Sequence, residues 1–209
     1  MAWRLQTPRV LVVELDGGKD SAVRAASGSM VAYEGDVAFK SAGMGGGGGL
    51  RAALKQRVTG ESLSLMDVSG RGTVHFAVDA GYVLVLDLAG QTLKAESEAI
   101  LALSAGLRTD VTFTGLQGAS SGQGLFTTTV TGHGPAALIS LGGPPIALRV
   151  GPDCPLVVDP DAYIGCVGDV RQSFVTDVSW RNLVGESSGE AFSLRFEGEG
   201  VVYIQPEER

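Results

Sequence analysis

The stretch of this sequence that most resembles a catalytic or binding motif is "SAGMGGGGGL" at residues 41–50, with five consecutive glycines at residues 45–49. An apolar stretch precedes it, and residues 50–57 predict a short helix. The order of strand, glycine loop and helix is typical of a loop that cradles phosphate. Gly43, Gly45 and Gly48 also match the G-x-G-x-x-G fingerprint.

That match carries little information, because any glycine run satisfies the fingerprint almost automatically. No Gly-Lys-Ser/Thr sequence follows, and no ribose-binding acid can be placed on a parallel strand after the helix. The sequence therefore predicts a flexible surface loop. A contact between residues 45–49 and a subunit or partner is the open alternative.

A second pattern, "GASSG" at residues 118–122, matches the G-x-S-x-G nucleophile elbow. That elbow requires a helix after the serine, followed along the chain by an acid and a histidine. Here a strand-like segment follows, and His133 comes after Ser120 with no Asp or Glu between them. We predict no catalytic residues and no enzymatic activity.

Metal ligands are also scarce. The two histidines are far apart in the sequence, and we expect His75 on a strand and His133 in a turn. Asp153, Asp159 and Asp161 lack the spacing and the closing glutamate of a calcium loop, so they predict turn carboxylates. We therefore expect no metal site and no cofactor; which residues would bind any other ligand is left unassigned.

The two cysteines, Cys154 and Cys166, are separated by eleven residues. We expect both to be small buried side chains, as free cysteines commonly are. A disulfide stays open as an alternative if the strands that flank them pair with each other.

Composition and charge limit the class of partner. The 209 residues carry a net charge of −7, with 44% apolar and 19% charged residues. An acidic globular chain lacks the basic surface that DNA binding needs, and RNA binding is not expected either. Residues 113–148 carry no charge but are interrupted by Gly, Ser, Thr and Pro, so no membrane-spanning segment is predicted. The apolar run at residues 10–13 is too short for a signal peptide, and we predict a cytoplasmic protein.

The elements that would hold any site are predicted from internal repeats. Residues 60–76, 122–138 and 189–204 each contain a glycine, an alternating apolar strand, a Gly-x-Gly sequence and a second apolar strand. Alternation with period two predicts β-strands, and the Gly-x-Gly sequences predict hairpin turns. These turns are Gly70/Gly72, Gly132/Gly134 and Gly198/Gly200.

A second motif alternates with the first, at residues 23–33, 93–103 and 156–166. Together the motifs predict one all-β domain spanning residues 1–209, a rolled β-sandwich of about twelve strands in three repeats. The approximate repeats are residues 10–76, 82–139 and 146–205. The segments 36–59, 104–121 and 168–188 are then predicted to be equivalent crossovers, the first of which contains the glycine run.

The segments "GSMVAYEGDVAF", "GLFTTTVTGHGPAALIS" and "GEAFSLRFEGEGVVYIQP" resemble the altered inheritance of mitochondria family, number 24 of that naming series. The strongest element is the run Arg57, Gly60, Glu61, Ser62 and Leu63 after a glycine-rich segment. The resemblance covers nearly the whole chain. It supplies no catalytic residues to transfer to this sequence.

The resemblance implies a double-stranded β-helix similar to the tryptophan RNA-binding attenuation protein class, assembled into a homo-oligomer with a trimer favoured. It also implies that eukaryotic relatives are mitochondrial and linked to inner-membrane organisation. We therefore predict a non-enzymatic oligomeric scaffold, and a protein partner is part of this prediction. The alternative is a small-ligand module that uses the barrel interior or a subunit interface.

Overall fold

The computed structural model describes residues 1–18, 20–41, 63–114, 125–175 and 193–207. Within these ranges the protein is all-β, with fifteen strands and two 3₁₀ helices, Ser97–Ala99 and Pro160–Ala162. The strands are β1 (Ala2–Thr7), β2 (Val10–Asp16), β3 (Val23–Ala26), β4 (Met30–Ser41), β5 (Leu65–Phe76), β6 (Tyr82–Ala89), β7 (Leu93–Glu96), β8 (Ile100–Ser104), β9 (Arg108–Thr114), β10 (Leu125–Thr131), β11 (His133–Ser140), β12 (Ile146–Val150), β13 (Leu156–Val158), β14 (Tyr163–Val175) and β15 (Ser193–Ile204).

Two antiparallel sheets contain these strands and together approach a barrel. The first has the order β1-β2-β5-β3-β8-β11-β6, with β4 paired to β5 on the side opposite β2 and β3. The second has the order β12-β15-β14-β7-β10-β9, with β13 paired to β15. The short strands β3 and β7 join segments that are distant in sequence, because β3 pairs with β8 and β7 pairs with β14.

The predicted Gly-x-Gly hairpin turns are wrong in all three places. Gly70 and Gly72 lie inside the continuous strand β5, and Gly198 and Gly200 lie inside β15. At Gly132 the chain does leave strand geometry, but β10 before it and β11 after it lie in different sheets and do not pair as a hairpin. A glycine inside a strand is typical of a bend or of a close approach between backbones.

Such a close approach occurs within two pairs of long neighbouring strands, β4 with β5 and β14 with β15. Gly35 of β4 lies opposite Gly72 of β5, and Gly168 of β14 lies opposite Gly200 of β15. A Cβ atom on Gly35 would lie 2.8 Å from the Cα of Gly72, and one on Gly168 would lie 2.9 Å from the Cα of Gly200. The partner backbone therefore leaves no room for a side chain at Gly35 or Gly168. Each pair of strands bends at these glycines, and no turn interrupts it.

The predicted crossovers also begin too early. Strand β4 continues from residue 36 to Ser41, β9 occupies residues 108–114, and β14 continues from residue 168 to Val175. The alternating residues in these segments pair with β5, β10 and β15, which explains why they are strands. The glycine run, the predicted helix at 50–57 and the "GASSG" segment lie outside the described residues.

Three clusters of buried apolar side chains form the core of the described structure. The first includes Leu11, Val74 and Phe76, and the second is built around Leu93, Leu103 and Leu138. The third contains Tyr163 and Phe196, whose rings stack with their centroids 5.2 Å apart. Each fully buried side chain of this size stabilises the fold by about 1.5–3 kcal/mol relative to an exposed one.

Candidate functional site

The two histidines do not meet. His75 is partly buried on β5, between Val12 of β2 and Ala32 of β4, and within the described structure its Nδ1 has no hydrogen-bond partner. His133 is exposed at the first position of β11, a strand and not the predicted turn, because it pairs with Ala89 of β6. Strands β3 and β8 lie between β5 and β11 in the sheet.

The aspartates have the predicted role in turns. Asp159 caps the 3₁₀ helix Pro160–Ala162, and its Oδ1 accepts a hydrogen bond from the backbone N–H of Asp161 at 3.0 Å. Asp153 is exposed in the preceding turn. Within the described ranges, no three His, Cys, Asp or Glu side chains are grouped so that they could hold a metal ion.

The prediction that both cysteines are buried is wrong for one of them. Cys166 is buried, whereas Cys154 is exposed, and neither forms a disulfide. The backbone of Cys154 forms hydrogen bonds with that of Gly151 and closes a tight turn. Cys154 is exposed in this turn, at the surface.

Cys166 belongs to a buried polar contact that no sequence pattern predicts. The hydroxyl of Tyr163 donates a hydrogen bond to the backbone carbonyl of Lys94 at 2.9 Å and lies 3.5 Å from the Sγ of Cys166. Burial raises the pKa of Tyr163 well above its usual value, and burial also raises the pKa of Cys166. Both groups are therefore neutral at neutral pH, and a buried neutral thiol is a poor nucleophile.

Each of the short strands β3 and β7 is held to a segment distant in sequence by the hydrogen bonds of one basic side chain. From β3, Arg24 donates hydrogen bonds to the carbonyl of Leu107 at 2.6 Å and to the hydroxyl of Thr109 at 3.1 Å. Burial lowers the pKa of Arg24, and the charge of Asp67 opposes that shift. From β7, Lys94 donates to the carbonyl of Val170 at 2.9 Å.

The candidate functional site is the outer edge of β4. In the described part of the chain, β4 pairs with β5 alone, so the other edge of a twelve-residue strand carries no partner. Val31 and Tyr33 are 58% and 51% exposed, and the ring of Tyr33 contacts that of Phe39 with centroids 5.1 Å apart. A long edge with exposed apolar side chains is a template for pairing with another strand.

The burial of corresponding residues makes this exposure unusual. In the motif shared by residues 23–33 and 93–103, Val31 and Tyr33 correspond to Leu101 and Leu103, and both leucines are 0% exposed. Strand β3 covers that part of β8, as β7 covers the corresponding part of β14. No sequence signal separates Tyr33 from Leu103, because both belong to similar alternating apolar strands.

These features define a class: an all-β protein of two near-barrel sheets whose candidate site is a strand edge. The family model described as mitochondrial biogenesis AIM24 matches residues 3–207, and the chain belongs to that family. The resemblance found in the sequence is thereby confirmed.

A solved structure has a similar fold. The crystal structure of a Streptococcus pyogenes protein, a structural-genomics target, superposes with a TM-score of 0.70 and 22% sequence identity. The match covers 99% of this chain and 93% of that one. At this identity it supports the fold alone. No curated protein matches the sequence.

Among the described residues, no helix has the length and apolar character needed to cross a membrane.

Proposed function

We propose that this protein is a non-enzymatic β-scaffold that assembles with copies of itself, with a trimer favoured, and presents its surface to a protein partner. The observation that carries the proposal is the outer edge of β4, which pairs with none of the described strands and on which Val31 and Tyr33 are exposed. In a protein that acts alone, such an edge is usually shortened, charged or covered. The remainder of β4 carries the exposed charged residues Glu34, Asp36 and Lys40, but residues 30–33 at its start are all apolar, and an apolar edge of this kind favours assembly.

We also propose that the fold is a single double-stranded β-helix built from three repeats. The pairing of β4 with β5 is matched by that of β14 with β15, with glycine opposite glycine in both. The middle repeat corresponds if β8 and β9 together match β4, while β10 and β11 match β5. The pairing of β8 with β11 and of β9 with β10 supports this correspondence.

The packing of the interior favours a scaffold over a ligand module that uses the barrel interior. The three core clusters consist of apolar side chains that are almost fully buried, among them Leu11, Leu93 and Phe196. A ligand would therefore be expected at a subunit interface. Native mass spectrometry of the purified assembly tests that alternative, because a bound ligand would add mass to the oligomer.

The direct test of the scaffold proposal is the mass of the full chain in solution, measured by light scattering over a hundredfold range of concentration. The chain mass is 21.5 kDa, and we expect a stable multiple of it. A strictly monomeric protein that captures no partner from its native host would contradict the proposal.

A further inference from the structure

Two internal junctions show how one part of this protein covers the next. In the first, β3 pairs antiparallel with β8, with Arg24 opposite Leu103. In the second, β7 pairs antiparallel with β14, with Lys94 opposite Cys166. In each case a short strand pairs with part of a strand that would otherwise be an edge.

The two junctions agree in register. Each short strand contributes three residues, in the pairs Ala25↔Ala102, Arg24↔Leu103 and Val23↔Ser104 for the first junction, and Ala95↔Gly165, Lys94↔Cys166 and Leu93↔Val167 for the second. The basic side chain also reaches the same place, the carbonyl four residues beyond its opposite residue. These carbonyls belong to Leu107 and Val170.

In the described structure, one short strand and one long strand lack a partner of this kind. The short strand β13 pairs with β15, as β3 pairs with β5, but no described strand pairs with its other edge. The first half of β4 corresponds to β8, and among the described strands none covers its outer edge either. The described structure therefore has an uncovered edge near its start and, near its end, a short strand that has nothing to cover.

We propose that β13 of one copy pairs antiparallel with β4 of a second copy and reproduces the two internal junctions between subunits. This inference rests on the self-assembly proposed above and names the surfaces that perform it. The internal register transfers directly. Between the two copies it predicts the pairs Val158↔Ala32, Val157↔Tyr33 and Leu156↔Glu34.

The side chains at the centre of this junction fit each other. Val157 is 47% exposed in the single chain, and Tyr33, its predicted opposite, is also half exposed. A β-branched residue opposite an aromatic one is a favourable cross-strand pair. Two exposed apolar side chains on separate strands would thus be removed from water by one contact.

The junction joins two different surfaces, so it is head-to-tail. Each copy that offers β13 also offers a free β4, and assembly continues until a ring closes or a filament extends. A symmetric contact in which β4 pairs with β4 would instead stop at two copies. These alternatives can be separated with variants that each lose one surface.

The experiment uses Tyr33→Asp and Val157→Asp in the full chain, studied by light scattering. Asp is disfavoured in strands, so either substitution should weaken the pairing of β13 with β4. Both positions are exposed in the single chain, so circular dichroism should report an unchanged fold. We expect each variant alone to be monomeric. We expect an equimolar mixture to form a dimer of one chain of each kind, because the mixture retains one intact β13 and one intact β4.

The matched control is Val111→Asp, which makes the same change at an exposed apolar residue of β9, an edge strand of the other sheet. This variant should assemble like the wild type. Self-association of Val157→Asp as strongly as the wild type would overturn the inference, since it would leave β4 as a symmetric interface.

The remaining outcomes separate the inference from the proposed function. A wild type that is monomeric at all concentrations overturns both. A wild type that is oligomeric, with all three variants equally oligomeric, overturns the β13–β4 junction and leaves the scaffold proposal standing.

Discussion

The ammonium group of Lys94 donates a hydrogen bond to the backbone carbonyl of Val170, 2.9 Å away and 76 residues later in the chain. Arg24 makes the corresponding bond to the carbonyl of Leu107, 83 residues away. The first bond fastens β7 to β14, and the second fastens β3 to the bend between β8 and β9. They connect segments whose contact could not be anticipated from their separation in sequence.

Replacing Lys94 by methionine should therefore destabilise the protein. Lys94→Met keeps the length of the side chain but removes the charged donor, and a hydrogen bond of this kind contributes about 1.5–3 kcal/mol. Urea unfolding should show a loss in that range. The control is Lys40→Met on the exposed face of β4, which should change the free energy of unfolding by less than about 0.5 kcal/mol. Equal effects in both variants would count against a structural role for the Lys94 bond.

The close contact between opposed glycines of neighbouring strands leads to a second prediction. Gly35 has a φ of +93°, and a Cβ on it would lie 2.5 Å from the carbonyl oxygen of Arg71. Gly35→Ala should cost about 2 kcal/mol or more, because it combines backbone strain with a collision against the partner strand. Gly106→Ala is the control, since a Cβ there meets nothing within 4 Å. Thermal unfolding of the two variants side by side tests the prediction, and similar melting temperatures would contradict it.

The buried thiol predicts a dependence of stability on pH. Burial raises the pKa of Cys166, so above about pH 8.5 the unfolded chain loses this proton before the folded one does. The unfolded state is then favoured, and the stability contributed by the neutral thiol is full below about pH 8.5 and falls as pH rises. Between pH 7 and pH 10 the wild type should lose more stability than Cys166→Ala does. Parallel pH profiles for the two proteins would show that the thiol is not shielded.

The all-β class and the family could be predicted from the sequence, because alternating apolar residues and the recurring glycines are local signals. The pairing of β3 with β8 and of β7 with β14 could not. Alternation tells which side chains share a face, but it does not name the partner strand.

The error at the Gly-x-Gly sequences has a physical reason. Glycine with positive φ serves equally in a tight turn and in a bent strand that lies against another backbone. The partner strands supply the missing information, because Gly-Asp-Val occurs both at residues 35–37 and at residues 168–170. That repeated tripeptide is a sequence signal that β4 and β14 are equivalent, and in the structure each lies opposite the glycines of its partner strand, β5 or β15.

The exposed edge of β4 cannot be predicted from the sequence for a related reason. Tyr33 and Leu103 occupy similar positions in similar strands, and only the presence of β3 over β8 distinguishes them. Burial in this fold is thus decided by which strand covers which, a property of the three-dimensional arrangement.

The absence of a basic side chain at position 157 leads to a fourth prediction. Lys94 and Arg24 occupy the corresponding position in the internal junctions, so Val157→Lys should place an ammonium group near the carbonyl of Val37 in the neighbouring copy. The added hydrogen bond should lower the dissociation constant of the assembly by about tenfold. Dilution followed by light scattering measures it. A weakening as large as that expected for Val157→Asp would contradict the proposed register.

The most direct test of the β13–β4 junction is a cross-link at its centre. Two single variants, Tyr33→Cys and Val157→Cys, are each prepared with Cys154→Ser to remove the exposed native thiol. Mixed and oxidised, they should form a covalent dimer of one chain of each kind, because residues opposite each other in antiparallel strands lie within disulfide reach. Asp36→Cys replaces Tyr33→Cys as the out-of-register control and should cross-link weakly. If the Asp36→Cys and Tyr33→Cys chains cross-linked equally to the Val157→Cys chain, or if neither did, the proposed junction would be contradicted.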